Sequence, residues 1–148
     1  LRRVGSEMCI RDRVRTMAST LPGHICTTFH GWTRNDEILE AYRSGRHDVF
    51  INVSSSEGLP VSIMESSSCG LPTIATDVGG TGEIVSDGVN GRLISANPMP
   101  REIADAVEEF ARMTPDAFAR RSAAARETWS THFDSDRNYR QFVEKMLS

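Results

Sequence analysis

Residues 48–53 read DVFINV, a nearly continuous apolar run. A polar loop follows, then a helix-compatible stretch from Pro60 to Ser68, then a second β-rich run, PTIAT, at 72–76. A short continuous apolar run suits a strand buried on both faces, as in a parallel sheet. Strand, helix, strand in succession is the rhythm of a parallel α/β fold. Right-handed crossovers then place helices on both faces of the sheet. Ligands in such sheets bind at the carboxyl ends of the strands. The loop 54–60 lies at one such end, and the pair Gly79-Gly80 at another.

The rest of the chain fits this frame. Residues 25–30 are β-rich, and Gly31-Trp32 breaks them. Asn35 or Asp36 can cap a helix carrying Ile38, Leu39 and Tyr42, which Gly45 ends. A short helix is expected around 81–85, a turn at 87–91 and a brief strand at 92–94. Three helices follow, the first opening at Pro100, the others spanning about 115–130 and 135–147. Residues 1–14, LRRVGSEMCIRDRV, fit nothing that follows and read as a non-native or truncation segment, the alternative being an irregular N-terminal arm.

Composition narrows the function. At 148 residues the chain is about one domain, and 39% hydrophobic with 25% charged residues is ordinary for a soluble fold. A net charge of -3 gives no electrostatic basis for binding nucleic acid. No apolar run reaches the ~20 residues of a membrane span. Cys9, Cys26 and Cys69 are far apart, with no CxxC or Cys/His ligand spacing. A reduced, cytoplasmic compartment with packed thiols is the natural reading.

The chemistry concentrates in Glu57-Gly58-Leu59-Pro60-Val61-Ser62-Ile63-Met64-Glu65. A helix starting at Pro60 leaves its first N–H groups unpaired and partly positive, which suits a phosphate. Gly58 lets the backbone approach closely. Glu65, about one turn into the helix, can accept from the vicinal hydroxyls of a ribose, and Glu57 can reach a sugar beyond the phosphate. The spacing alone equally fits a surface glutamate before a helix and another on its solvated face. Ser54, Ser55 and Ser56 offer hydroxyls to a phosphate, or satisfy their own loop. Trp32 and Trp129 read as packing anchors.

Three segments in order, DVFINVSSSEGLPVSIMES, SCGLPTIATDVGGTGEIV and DGVNGRLI, resemble the C-terminal donor-binding domain of retaining glycosyltransferases of the GT-B fold, family 4, the glycosyl transferases group 1. Phe29-His30-Gly31 resembles the family's strand-then-glycine element, and Phe133 to Tyr139 its closing helix. The resemblance implies a Rossmann-like parallel sheet flanked by helices, N-terminally truncated, with residues 15–148 as the nucleotide-sugar donor-binding domain. It implies that Glu57 contacts the donor sugar near the reaction centre and that Glu65 holds the ribose. Gly58, Leu59, Pro60 and Val61 would meet the donor phosphates and sugar, with Ser56, Gly79 and Gly80 beside the same cleft. It implies no metal and no cofactor, the nucleotide-diphosphate sugar being the donor substrate.

The departures lie upstream. Val4-Gly5-Ser6-Glu7 only faintly echoes the family's opening glycine turn, and no position supplies its basic phosphate-binding residue. The acceptor-binding N-terminal domain is expected to lie outside this chain, and any peripheral membrane contact would come through that half. The sheet is expected to expose an edge where further strands would pair. The competing readings are a non-catalytic nucleotide-sugar-binding module and a nucleotide-sugar epimerase of the same architecture.

Overall fold

A computed structural model describes residues 2–147, with side chains from residue 10 onward. It divides into two compact units, Leu1–Thr33 and Arg34–Ser148.

In the first unit, helix α1 spans Arg2–Ala18, so Val4-Gly5-Ser6-Glu7 is helical rather than a strand-ending turn. The side chain of Cys9 lies outside the described residues. Residues 25–30 are not a strand, because among the described residues no strand pairs with them to form a ladder. Phe29 instead lies under the Arg15 guanidinium, 5.7 Å from the ring centroid. Trp32 is 87% exposed and Cys26 is exposed, so neither is the packed residue the sequence suggested.

The second unit contains α2 (Asn35–Arg43), β1 (Phe50–Asn52), α3 (Val61–Ser68), β2 (Thr73–Thr76), α4 (Thr81–Ile84) and β3 (Gly91–Ile94). Helices α5 (Pro100–Ala111) and α6 (Pro115–Thr128), a π-helical turn (Trp129–Phe133) and α7 (Ser135–Leu147) complete it. Pro100 and Pro115 each occupy the first helical position, where a missing N–H costs no bond. The Thr114 hydroxyl caps α6 by accepting from the Ala117 amide.

The three strands form a parallel sheet in the order β1-β2-β3, with Asn52 beside Ala75 and Ala75 beside Leu93. Alternate residues point to opposite faces. On one face Ala75 packs with Ile63 of α3, Ile84 of α4 and Val85, joined by Phe50, Leu93 and Phe133. On the other, Ile74 and Ile94 pack with Ala106 and Phe110 of α5. Helices therefore cover both faces, as the strand–helix rhythm required. Burial on both faces holds at β2, which is fully buried, and fails at β1. β1 is an edge strand, with its Ile51 42% exposed and Val53, the residue after it, 48% exposed. Among the described residues no helix is long and apolar enough to cross a membrane.

Candidate functional site

The site is assembled where β1 and β2 end. Asn52 closes β1 and bonds in two directions: its Oδ1 accepts from the Ser54 amide at 3.1 Å and the Ser54 hydroxyl at 2.6 Å, and its Nδ2 donates to Glu57 Oε1 at 3.0 Å. The Thr76 hydroxyl, at the end of β2, donates to the Ser54 carbonyl at 2.5 Å. The loop carrying Glu57 is thus fixed to two neighbouring strands.

Gly79 and Gly80 back the same loop. The Gly80 amide donates to the Gly58 carbonyl at 2.7 Å. Gly79 has a φ of +54°, and a side chain there would overlap the Glu57 carbonyl. A Cβ on Gly80 would lie 2.7 Å from the Gly58 carbonyl oxygen and 3.1 Å from Leu59 Cδ1. The double glycine is required because two loops touch through their backbones.

Glu57 is half-buried, and hydrogen bonds hold its carboxyl below the ordinary carboxylate range, first from the Ser54 hydroxyl and then from the Asn52 amide. The Ser54 hydroxyl has a single proton and already donates to Asn52 Oδ1 at 2.6 Å, so the Asn52 amide is the firmer hold. Glu57 is accordingly an ionised acceptor at neutral pH. It can receive hydroxyl donors or stabilise positive charge, and it carries no proton to give.

Pro60 is buried and is the residue just before α3, which begins at Val61, one residue later than a helix starting on the proline itself. Its carbonyl accepts from the Ile63 and Met64 amides, at 3.1 and 3.3 Å. The Val61 and Ser62 amides precede the first intrahelical bond and remain available, with the positive end of the helix dipole behind them. Gly58, Leu59 and Val61 are exposed around this opening, Val61 at 60%, and Ser56 is exposed on the preceding loop.

Glu65 lies in the second turn of α3 and is half-buried. Its Oε1 accepts from Asn35 Nδ2 of α2 at 2.7 Å. Asn35 and Asp36 lie within the first turn of α2 rather than capping it, which frees Asn35 to reach across. Tyr42 lies beside Glu65. Its phenol is pushed above its ordinary value first by burial, then by the charges of Glu65 and Cys69. Its ring meets Phe50 edge-on at 5.9 Å.

Direct contacts therefore bring Glu57, Gly58, Leu59, Gly79 and Gly80 together, and Pro60 and Val61 continue from them into α3. Glu65 is held separately, by α2. Sequence reasoning missed Asn52 and Asn35. Asn52 had one local signal, a lone amide inside an apolar run. Asn35 had none, since its partner is thirty residues away.

A family model for glycosyl transferases group 1 matches residues 10–128. The sulfoquinovosyl transferase of Arabidopsis thaliana is 39% identical over 64 residues, covering 43% of this chain and 12% of that protein. The chain thus spans a small part of the length of such a relative. The HepE protein of Anabaena, solved in complex with UDP-glucose, superposes over 95% of this chain and 37% of its own, with a TM-score of 0.77 at 22% identity. In complex with UDP, the same protein superposes over 73% of this chain and 29% of its own, with a TM-score of 0.64 at 26% identity.

Proposed function

The chain belongs to the glycosyl transferases group 1 family, and from that premise we propose that it is the donor-binding domain of a retaining, family 4 transferase. The whole enzyme moves a hexose from a nucleotide diphosphate to a glycan, lipid-linked or small-molecule acceptor. The acceptor-binding half comes from polypeptide beyond this chain, and the enzyme works in the cytoplasm. A uracil nucleotide is the first candidate, because the HepE protein of Anabaena was solved with UDP and with UDP-glucose.

One observation carries the reading. An ionised carboxylate, Glu57, is fixed by Asn52 at the carboxyl end of a parallel strand, immediately before the exposed start of a helix. In the proposed reaction the bond from the anomeric carbon to the diphosphate breaks, the acceptor hydroxyl oxygen forms the new one, and the hydroxyl proton passes to the departing diphosphate. The Val61 and Ser62 amides receive the charge gathering on the diphosphate, and Glu57 favours the positive charge at the anomeric carbon. Glu65 accepts from the ribose hydroxyls. No metal is needed in this arrangement.

Calorimetric titration with UDP, GDP and ADP tests the proposal, on this chain and on Glu65→Ala. Charge-assisted bonds to the ribose are worth roughly 1.5–3 kcal/mol each, so the variant should bind its nucleotide roughly ten- to a hundredfold more weakly. Failure of every nucleotide to bind, or equal binding by the variant, refutes the assignment.

A further inference from the structure

Asn52 is half-buried at the end of β1, paired in register with buried Ala75. An apolar side chain there would extend the DVFINV run and leave no amide to satisfy. Instead both ends of the amide are used. The carbonyl end closes an Asx turn on Ser54, and the N–H end reaches Glu57. The Thr76 and Gly80 bonds fix the main chain of this loop on either side. Neither of them touches the Glu57 carboxylate.

We propose that Asn52 is a positioning residue for the sugar end of the site: its amide holds one oxygen of Glu57, leaving the other to accept from a hydroxyl of the donor sugar. This rests on the proposed role of Glu57. Acids stand on the segments that follow: Asp77 before the glycine turn, Glu83 on α4 and Glu65 on α3. The donor seated on the Glu57 carboxylate is the Asn52 amide, since the Ser54 hydroxyl proton goes to Asn52 Oδ1.

Asn52→Asp separates the two ends of the side chain. It keeps the acceptor for Ser54 and the shape, removes the donor, and sets a carboxylate against Glu57. Two measurements follow, on the parent chain and on the variant. The first is calorimetric affinity for UDP and for UDP-glucose, repeated with GDP and GDP-mannose, and with ADP and ADP-glucose. The second is the titration of the Glu57 carboxyl carbon by NMR.

Asn52→Asp should weaken nucleotide-sugar binding at least tenfold, leave the free nucleotide within about twofold, and move the Glu57 titration upward. On a Glu57→Gln background the same change should cause no further loss of nucleotide-sugar affinity, since the residue acts through Glu57. Equal loss of both ligands, or undiminished nucleotide-sugar affinity, overturns the proposal. So does a further loss on the Glu57→Gln background. If no nucleotide binds even the parent chain, the functional reading fails on its own account, and the NMR titration decides Asn52: a Glu57 midpoint unmoved by Asn52→Asp overturns the positioning role.

Discussion

Replacing Gly79 with alanine tests whether the glycine turn supports the Glu57 loop. Gly79 sits at a φ of +54°, a conformation that costs a non-glycine residue about 1–2 kcal/mol. The added methyl would also overlap the Glu57 carbonyl, so one loop must retreat. Retreat strains the 2.7 Å bond from the Gly80 amide to the Gly58 carbonyl, worth about 1 kcal/mol. The expected loss is therefore about 2–3 kcal/mol. Gly88 is the control, because it has a φ of +75° and open space where a Cβ would stand. Gly88→Ala should lose about 1–2 kcal/mol, the backbone term alone. Urea unfolding followed by circular dichroism gives both values, provided the slopes match that of the parent. Equal losses for the two variants would refute the claim that the glycine turn buttresses the Glu57 loop.

Two further outcomes are expected. Ile63 of α3 is fully buried against Ala75 and Ile84, so Ile63→Ala should lose about 2–5 kcal/mol in the same unfolding assay. The Glu102 carboxyl is held below its ordinary range, first by the Ser95 hydroxyl and then by the Ser95 amide. A depressed folded-state value gives stability that is present above the unfolded value, about 4.3, and lost as pH falls through the folded one. Glu102→Gln should therefore show a smaller fall in urea midpoint between about pH 7 and pH 3 than the parent chain does.

What could be read from the sequence follows from how local each signal is. Pro100 and Pro115 announce α5 and α6 because proline suits a first helical position whatever surrounds it. β2 was legible because PTIAT lies at the centre of the sheet, where an apolar run and burial on both faces coincide. β1 carries the same kind of run at an edge, and composition does not distinguish an edge from a centre. Residues 25–30 have strand-forming composition yet no ladder, since a strand also requires a partner. The π-helical turn at Trp129–Phe133 falls where a plain helix end was expected, and Phe133 there packs against the core under α3. The acids of the site were visible as residues; what holds them was not. Asn52 to Glu57 spans a loop whose path depends on Thr76 and Gly80, and Asn35 to Glu65 joins two helices.

The two acids therefore depend on different parts of the fold. Parallel pairing places the ends of β1 and β2 side by side, so the loops that follow them lie against each other. The Thr76–Ser54 and Gly80–Gly58 bonds tie those loops together on either side of the exposed Ser55 and Ser56. The path of the loop is thus set by the sheet and the glycine turn, and the exposed Ser55 and Ser56 are under little steric constraint. Glu65 takes its orientation from α2, through Asn35 and the flank of Tyr42. Under the proposed assignment, changes in α2 act on nucleotide affinity, whereas changes at the strand ends act on discrimination between nucleotide and nucleotide-sugar. No hydrogen bond of the first set is shared with the second, so on that assignment a substitution in the strand-end loops leaves the Asn35–Glu65 bond in place.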